Sequence, residues 1–148
     1  MQFRKIQSLE ELAKLLAEYD GSAVRTISSR TGDLQTYAKK LLKYGKNFVL
    51  SGGEKEHREG GFVSFYGNDT ENKTIYLTII AIHPAFQRQG FGTAVINYLE
   101  QFGKEKGMRR IKLEVDKENT GAIRFYRKTG FQITEEASGE SFFMEKEI

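Results

Sequence analysis

The sequence has 148 residues, the length of one ordinary domain, and its 39% hydrophobic and 29% charged residues with a single proline describe a chain that folds throughout rather than one held open by charge or low complexity. Its 23 basic and 20 acidic side chains leave a net charge of +3, and there is no basic aromatic stripe, which argues against a nucleic-acid partner while still suiting a phosphate-bearing small molecule. The absence of cysteine excludes disulfides, thiolate metal sites and cysteine nucleophiles, and His57 and His83 alone cannot assemble a histidine-rich metal centre, so chemistry without a metal is expected.

Phe3 to Ile6 reads as a first strand. Ser8 with Glu11 three residues on forms a capping-box signal ahead of Leu9, Leu12, Leu15 and Leu16 at helical spacing. A second helix is expected from about Asp33 to Tyr44, with Gly45 as its stop. The texture then changes to strands: Phe48 to Leu50, a glycine-flanked turn from Gly52 to Gly61 that contains His57, Phe62 to Tyr66, and Thr74 to Ile82, an antiparallel meander. The longest apolar run, Ile75 to Ile82, has strand length and is far too short to span a bilayer, and no apolar stretch follows the first residues, Met1 to Lys5, so a cytoplasmic protein without a membrane partner is expected. A long helix from about Gly90 to Lys106 repeats Phe91, Val95, Leu99 and Phe102 every three or four residues, with Gly107 at its end. A strand from Ile111 to Val115, a short helix from about Thr120 to Lys128 closed by Gly130, and strands around Phe131 to Thr134 and Ser141 to Glu147 complete the order β-α-α-β-β-β-α-β-α-β-β. No linker or repeat divides the chain, which reads as one domain, residues 1–148.

The segment Ile82-His83-Pro84-Ala85-Phe86-Gln87-Arg88-Gln89-Gly90-Phe91-Gly92-Thr93 joins a strand to a helix through glycines. Gly90 and Gly92 let the backbone approach a ligand, and the amides of a first helical turn, with the positive end of the helix dipole behind them, match pyrophosphate oxygens. Arg88 can add a charge-assisted contact. A plain glycine-rich turn has the same look, and neither the dinucleotide fingerprint nor the P-loop is present.

A second cluster gives the pattern meaning. Gln87-Arg88-Gln89-Gly90-Phe91-Gly92 resembles the Gln/Arg-x-x-Gly-x-Gly/Ala acetyl-CoA motif of the GNAT superfamily of N-acetyltransferases, and Asn119-x-x-Ala122-x-x-Phe125-Tyr126-x-x-x-Gly130-Phe131 is similar to its second CoA-binding element at the usual distance. With their framing strands they span Ile75 to Phe131; the amino-terminal half agrees only in element order. The resemblance implies an α/β (α+β) fold: a central mixed, largely antiparallel sheet of about seven strands flanked by about four helices, splayed between the strand ending at Ile82 and the strand through Glu114. It implies acetyl-CoA as co-substrate, with the pantetheine arm along Ala81 and Ile82, the pyrophosphate held by Gln87, Arg88, Gln89, Gly90, Phe91, Gly92 and Thr93, Asn119 on the cofactor arm and Tyr126 beside the thioester sulfur. The partner implied is an amine, small molecule or peptide, and the chain is expected to act as a monomer or homodimer.

Glu114 is reached independently. Strand alternation puts Ile111, Leu113 and Val115 on one face and Lys112, Glu114 and Asp116 on the other, a set of little use to a central strand covered on both sides unless it borders an opened cleft. The ribosomal-protein N-terminal alanine acetyltransferases resemble this chain in carrying a glutamate the same distance before the tyrosine, where it is read as the general base. Structural readings stand beside each role: Tyr126 as a packing aromatic, Asn119 as a helix N-cap, Glu114 as a solvated strand residue paired with Lys112 or another cation, His83 and Pro84 as a strand end. A CoA-binding sensor or scaffold without turnover is the alternative function. The acceptor-choosing residues are expected between about Tyr19 and Asp33 and around Ser51 to Gly61.

Overall fold

The computed structural model describes residues 1–21, 27–52 and 59–148, Ser29 and Arg30 by backbone only. The chain runs β1 (Gln2–Lys5), α1 (Leu9–Glu18), α2 (Ile27–Thr31), α3 (Leu34–Tyr44), β2 (Lys46–Ser51), β3 (Glu59–Asp69), β4 (Thr74–Ile82), a 3-10 turn (Pro84–Phe86), α4 (Phe91–Lys106), β5 (Arg110–Asp116), α5 (Thr120–Lys128), β6 (Gln132–Glu136) and β7 (Ser141–Glu147). Every element expected from the sequence is present, and α2 is an addition, too short to show a period. His57 and most of the expected turn from Gly52 to Gly61 lie outside the described residues, as do residues 22–26. Ser8 caps α1 by accepting from the Glu11 amide at 3.2 Å, but the Glu11 carboxylate goes to Arg4, in two hydrogen bonds of 3.1 and 2.7 Å, instead of completing a capping box. That guanidinium holds the Glu11 carboxyl below its ordinary range.

The strands form one sheet in the order β1-β2-β3-β4-β5-β7-β6, antiparallel throughout except for the β4–β5 pair, whose parallel relation requires the crossover that α4 supplies. Two apolar layers cover its faces. On one, Val95, Ile96 and Leu99 of α4 and Ile123 of α5 pack on Ile75, Leu77, Ile111, Leu113 and Val115. On the other, Leu12, Leu15 and Leu16 of α1 and Ala38 and Leu41 of α3 pack on Val49, Phe62, Ile79 and Ala81. Leu12, Leu16 and Leu41 lose all contact with water, each worth about 1.5–3 kcal/mol.

One irregularity interrupts β4. Ser64 pairs with Ile79 and Phe65 with Leu77, so Thr78 is an extra residue, a β-bulge on that strand. It turns the strand over: Ile75 and Leu77 belong to the α4 face, whereas Ile79 and Ala81 belong to the α1/α3 face. A single extra residue reverses the alternation because the side-chain period is two. The bulge is held from α3, where the Tyr37 hydroxyl lies 2.5 Å from Thr78 Oγ1.

Candidate active site

The β4–β5 ladder runs from Thr74↔Arg110 to Leu77↔Leu113 and ends there, immediately before the bulge, although β4 continues to Ile82 and β5 to Asp116. The two strands therefore part, as the splay expected between Ile82 and Glu114 requires. A cavity of about 100 Å3 occupies the gap, lined by Thr78 to Ala81 from β4, Glu114 to Asp116 from β5, Asn119, Ala122 and Tyr126 from the adjoining loop and α5, and Ile27 from α2.

The direction of the β4 backbone is set by its pairing with β3. The His83 amide donates to Gly60 O at 2.8 Å, so residues 79, 81 and 83 address β3 and the N–H and C=O groups of Ile80 and Ile82 point toward β5. Ala81, expected to line the cofactor arm with its backbone, spends that backbone on β3: a Cβ at Gly61, whose φ is +151°, would stand 2.0 Å from Ala81 O. The backbone groups turned toward the gap are those of Ile80 and Ile82.

At the mouth, His83 Nδ1 accepts from the Ala85 amide at 3.1 Å, closing the strand as its structural reading expects. Gln87 lies 3.5 Å from Ile82 O through Nε2, and Gln89 donates to Ala85 O at 3.0 Å. Arg88, exposed, holds φ at +63°, a left-handed conformation that costs a non-glycine residue roughly 1–3 kcal/mol and concentrates at functional sites. Gly90 is the α4 N-cap with φ +82°, where only glycine is unstrained. The first intrahelical bond is Ala94 N to Gly90 O, so the amides of Phe91, Gly92 and Thr93 precede it and have no partner within the helix. The Phe91 ring turns into the core against Phe86, 5.4 Å between centroids, so this residue offers a ligand its amide only. Gly92 has no left-handed φ, and the structure adds a requirement to the ligand approach read in the sequence: a Cβ there would lie 2.8 Å from the Phe125 ring of α5.

Asn119 Oδ1 accepts from the Ala122 amide at 3.2 Å, the N-cap anticipated for it, while the residue also lines the cavity. Tyr126 is half-buried between the rings of Phe125 and Phe131, each 5.4 Å away and edge-on. Glu114 alternates out of the core as expected, Ile111, Leu113 and Val115 being buried. Its Oε2 accepts from the hydroxyl of Ser141 at 2.6 Å, whereas Lys112 sits over the Phe143 ring at 4.3 Å. Thr78, Ile80, Ile27 and Ser141 carry no individual signal in the sequence, and Asp116 is marked there only as sharing the Glu114 face of β5. Ile27 falls within the stretch assigned to acceptor choice and is set by Asp20, which accepts from the Ser28 amide at 2.7 Å and hydroxyl at 2.9 Å. These bonds hold the Asp20 carboxyl below its ordinary range.

A mixed sheet parted between its two parallel neighbours, with a glycine-headed helix at the mouth of the gap, is the architecture of the GNAT fold. The family model described as the acetyltransferase (GNAT) family matches residues 3–131, and the chain belongs to that family. It is 42% identical over 60 residues to an uncharacterized N-acetyltransferase of Methanocaldococcus jannaschii, covering 40% of this chain and 26% of that protein. It is 38% identical over 52 residues to the ribosomal protein bS18 alanine N-acetyltransferase of Escherichia coli strain K12, covering 35% of each. The fold is similar over 100% of both chains to the PaiA N-acetyltransferase of Thermoplasma acidophilum in complex with coenzyme A, with a TM-score of 0.72 and 19% identity. The chain spans from 26% to 47% of the length of the first curated relatives it matches. Among the described residues no helix is long and apolar enough to cross a membrane.

Proposed function

We propose that this chain transfers an acetyl group from acetyl-CoA to a primary amine by direct attack in a ternary complex. The observation that carries the reading is that Glu114 of β5 and Tyr126 of α5 line one cavity at the place where β4 and β5 part. Acetyl-CoA supplies an acyl carbon activated by a thiol leaving group. The amides of Phe91, Gly92 and Thr93, with Gln87, Arg88, Gln89 and Gly90, hold its pyrophosphate at the positive end of α4. Ile82 and Ile80, whose backbones turn toward the gap, hold the pantetheine arm in the manner of an added strand, beside Ala81, and one of their amides polarises the thioester carbonyl; such donors are worth about 10²- to 10³-fold in rate. Asn119 caps α5 and touches the arm with the remainder of its amide.

An alkylamine has a pKa of about 10 and only its neutral form attacks, so a base is needed at neutral pH. Glu114 takes that first proton. Tyr126 gives its phenolic proton to the departing sulfur and recovers one from the nitrogen, which sheds its second proton as the amide forms. Glu114 and Asp116 on one wall, Ile27 and Ile79 on the other, suit a cationic group carried on an apolar stem, on a small molecule or a peptide.

The reading is tested by thiol release from acetyl-CoA with spermidine, glucosamine, N-α-acetyl-lysine and an alanine-initiated peptide. Release with formation of the acetylated amine supports it. Tight acetyl-CoA binding with no release from any amine of a broad library returns the sensor or scaffold reading.

A further inference from the structure

We propose that Ser141 and Ser138 form a proton relay that carries the proton taken by Glu114 out of the cleft to bulk water; this rests on the reading of Glu114 as the base. Ser141 opens β7 opposite Asp116, on the same face of the sheet as Glu114 and one diagonal position away. Its side chain is wholly buried, and its hydroxyl donates to Glu114 Oε2 at 2.6 Å. The same hydroxyl oxygen lies 2.9 Å from that of Ser138, which accepts from the Glu140 amide at 3.1 Å and stands nearer the surface. The turn that brings the two serines together is closed by Ala137 N to Ser141 O at 2.9 Å and Ser138 N to Ser141 O at 3.3 Å. Three oxygens in hydrogen-bond contact thus lead from Glu114 in the cleft wall, past the start of β7, to the exposed turn at Ser138. With a thioester and an acceptor seated in the gap, the cleft face of Glu114 is covered, and the serines supply a route that substrate does not block.

The step balances. An N–H bond of the bound ammonium breaks, its electron pair stays on nitrogen as the nucleophile, and the proton bonds to Oε2 of Glu114. The two hydroxyls then turn about their Cβ–Oγ bonds so that each donates outward, a rotation open to any serine. The Oε2–H bond breaks as Ser141 Oγ gains that proton and passes its own to Ser138, which passes its own to water. Glu114 ends as a carboxylate, both serines end as hydroxyls, and one proton enters the solvent.

The test uses the full chain with acetyl-CoA and whichever amine of the panel (spermidine, glucosamine, N-α-acetyl-lysine or the peptide) turns over fastest, in mixtures of H2O and D2O. Ser138→Ala, a change in the turn that leaves the core untouched, should lower kcat about 10-fold, a fraction of the acid–base contribution, without altering the KM for acetyl-CoA. Ser138→Thr keeps the hydroxyl and should restore the rate, which separates relay from mere packing. The plot of wild-type rate against deuterium fraction should bow, with several protons moving together, and straighten in Ser138→Ala and in Ser141→Ala. Wild-type kcat and wild-type curvature in both serine variants, with Glu114→Gln impaired, would remove the relay and leave the base in place. An unimpaired Glu114→Gln would remove both.

Discussion

The ring of Phe125 fills the space into which a β-carbon on Gly92 would project, its nearest atom 2.8 Å from that position, so the first turn of α4 and the middle of α5 touch where glycine alone fits. The two halves of the proposed cofactor site are thereby fixed to each other. Gly92→Val is expected to displace α5 and with it Asn119 and Tyr126, weakening acetyl-CoA binding at least 10-fold (about 1.4 kcal/mol) while the sheet remains folded. Phe125→Leu in the same chain should recover part of the loss. Calorimetry finding unchanged affinity in a folded Gly92→Val variant would break the link between this contact and the cofactor.

Tyr126→Phe removes one hydroxyl from a half-buried ring and keeps its edge-on packing on Phe125 and Phe131. The expected result is unchanged acetyl-CoA affinity with kcat lowered roughly 10²- to 10⁴-fold, the scale of one lost proton donor. Equal loss of kcat and of affinity would instead make Tyr126 a binding residue.

Tyr66 offers a stability test away from the cleft. Its hydroxyl is buried with no hydrogen-bond partner among the described residues, and burial, with Tyr37 nearby, pushes the phenol up to about 12. The neutral form is the one the fold favours, so its contribution is complete below the unfolded value near 10 and is lost as pH rises toward 12. Tyr66→Phe should raise stability at neutral pH by about 1 kcal/mol and flatten the fall between about pH 10 and 12. Denaturant melts showing a variant weaker by more than about 1 kcal/mol would mean that the hydroxyl has a partner.

Much of this framework is legible in the residues. Helical spacing in Leu12, Leu15 and Leu16, alternation in Ile111 to Val115 and the glycines around α4 locate the elements and put Glu114 outside the core, because each signal is local. The bulge at Thr78 is not legible: it is a mismatch between β4 and β3, and nothing within Thr74 to Ile82 shows that Ile79 faces the opposite way from Leu77. The same holds for Ser141, which reaches Glu114 across 27 residues of chain through strand pairing. Gly92 carries the opposite lesson, since its place in the motif is readable while one reason for it, the Phe125 ring, is a tertiary contact. The short helix α2 escaped because five residues held by an Asp20 side chain carry no period of their own.

The proposal that an acid on β5 deprotonates an amine in the parted sheet is tested most directly by the pH dependence of kcat/KM in Glu114→Gln. At low pH the acceptor is protonated and needs the base; as pH rises, free amine becomes available without help. The variant should therefore fall short of wild type by about 10²-fold near pH 6 and recover much of that deficit by about pH 9. A variant that kept the wild-type kcat/KM across that range would make Glu114 a bystander held by Ser141, and the base would have to be sought elsewhere in the cleft.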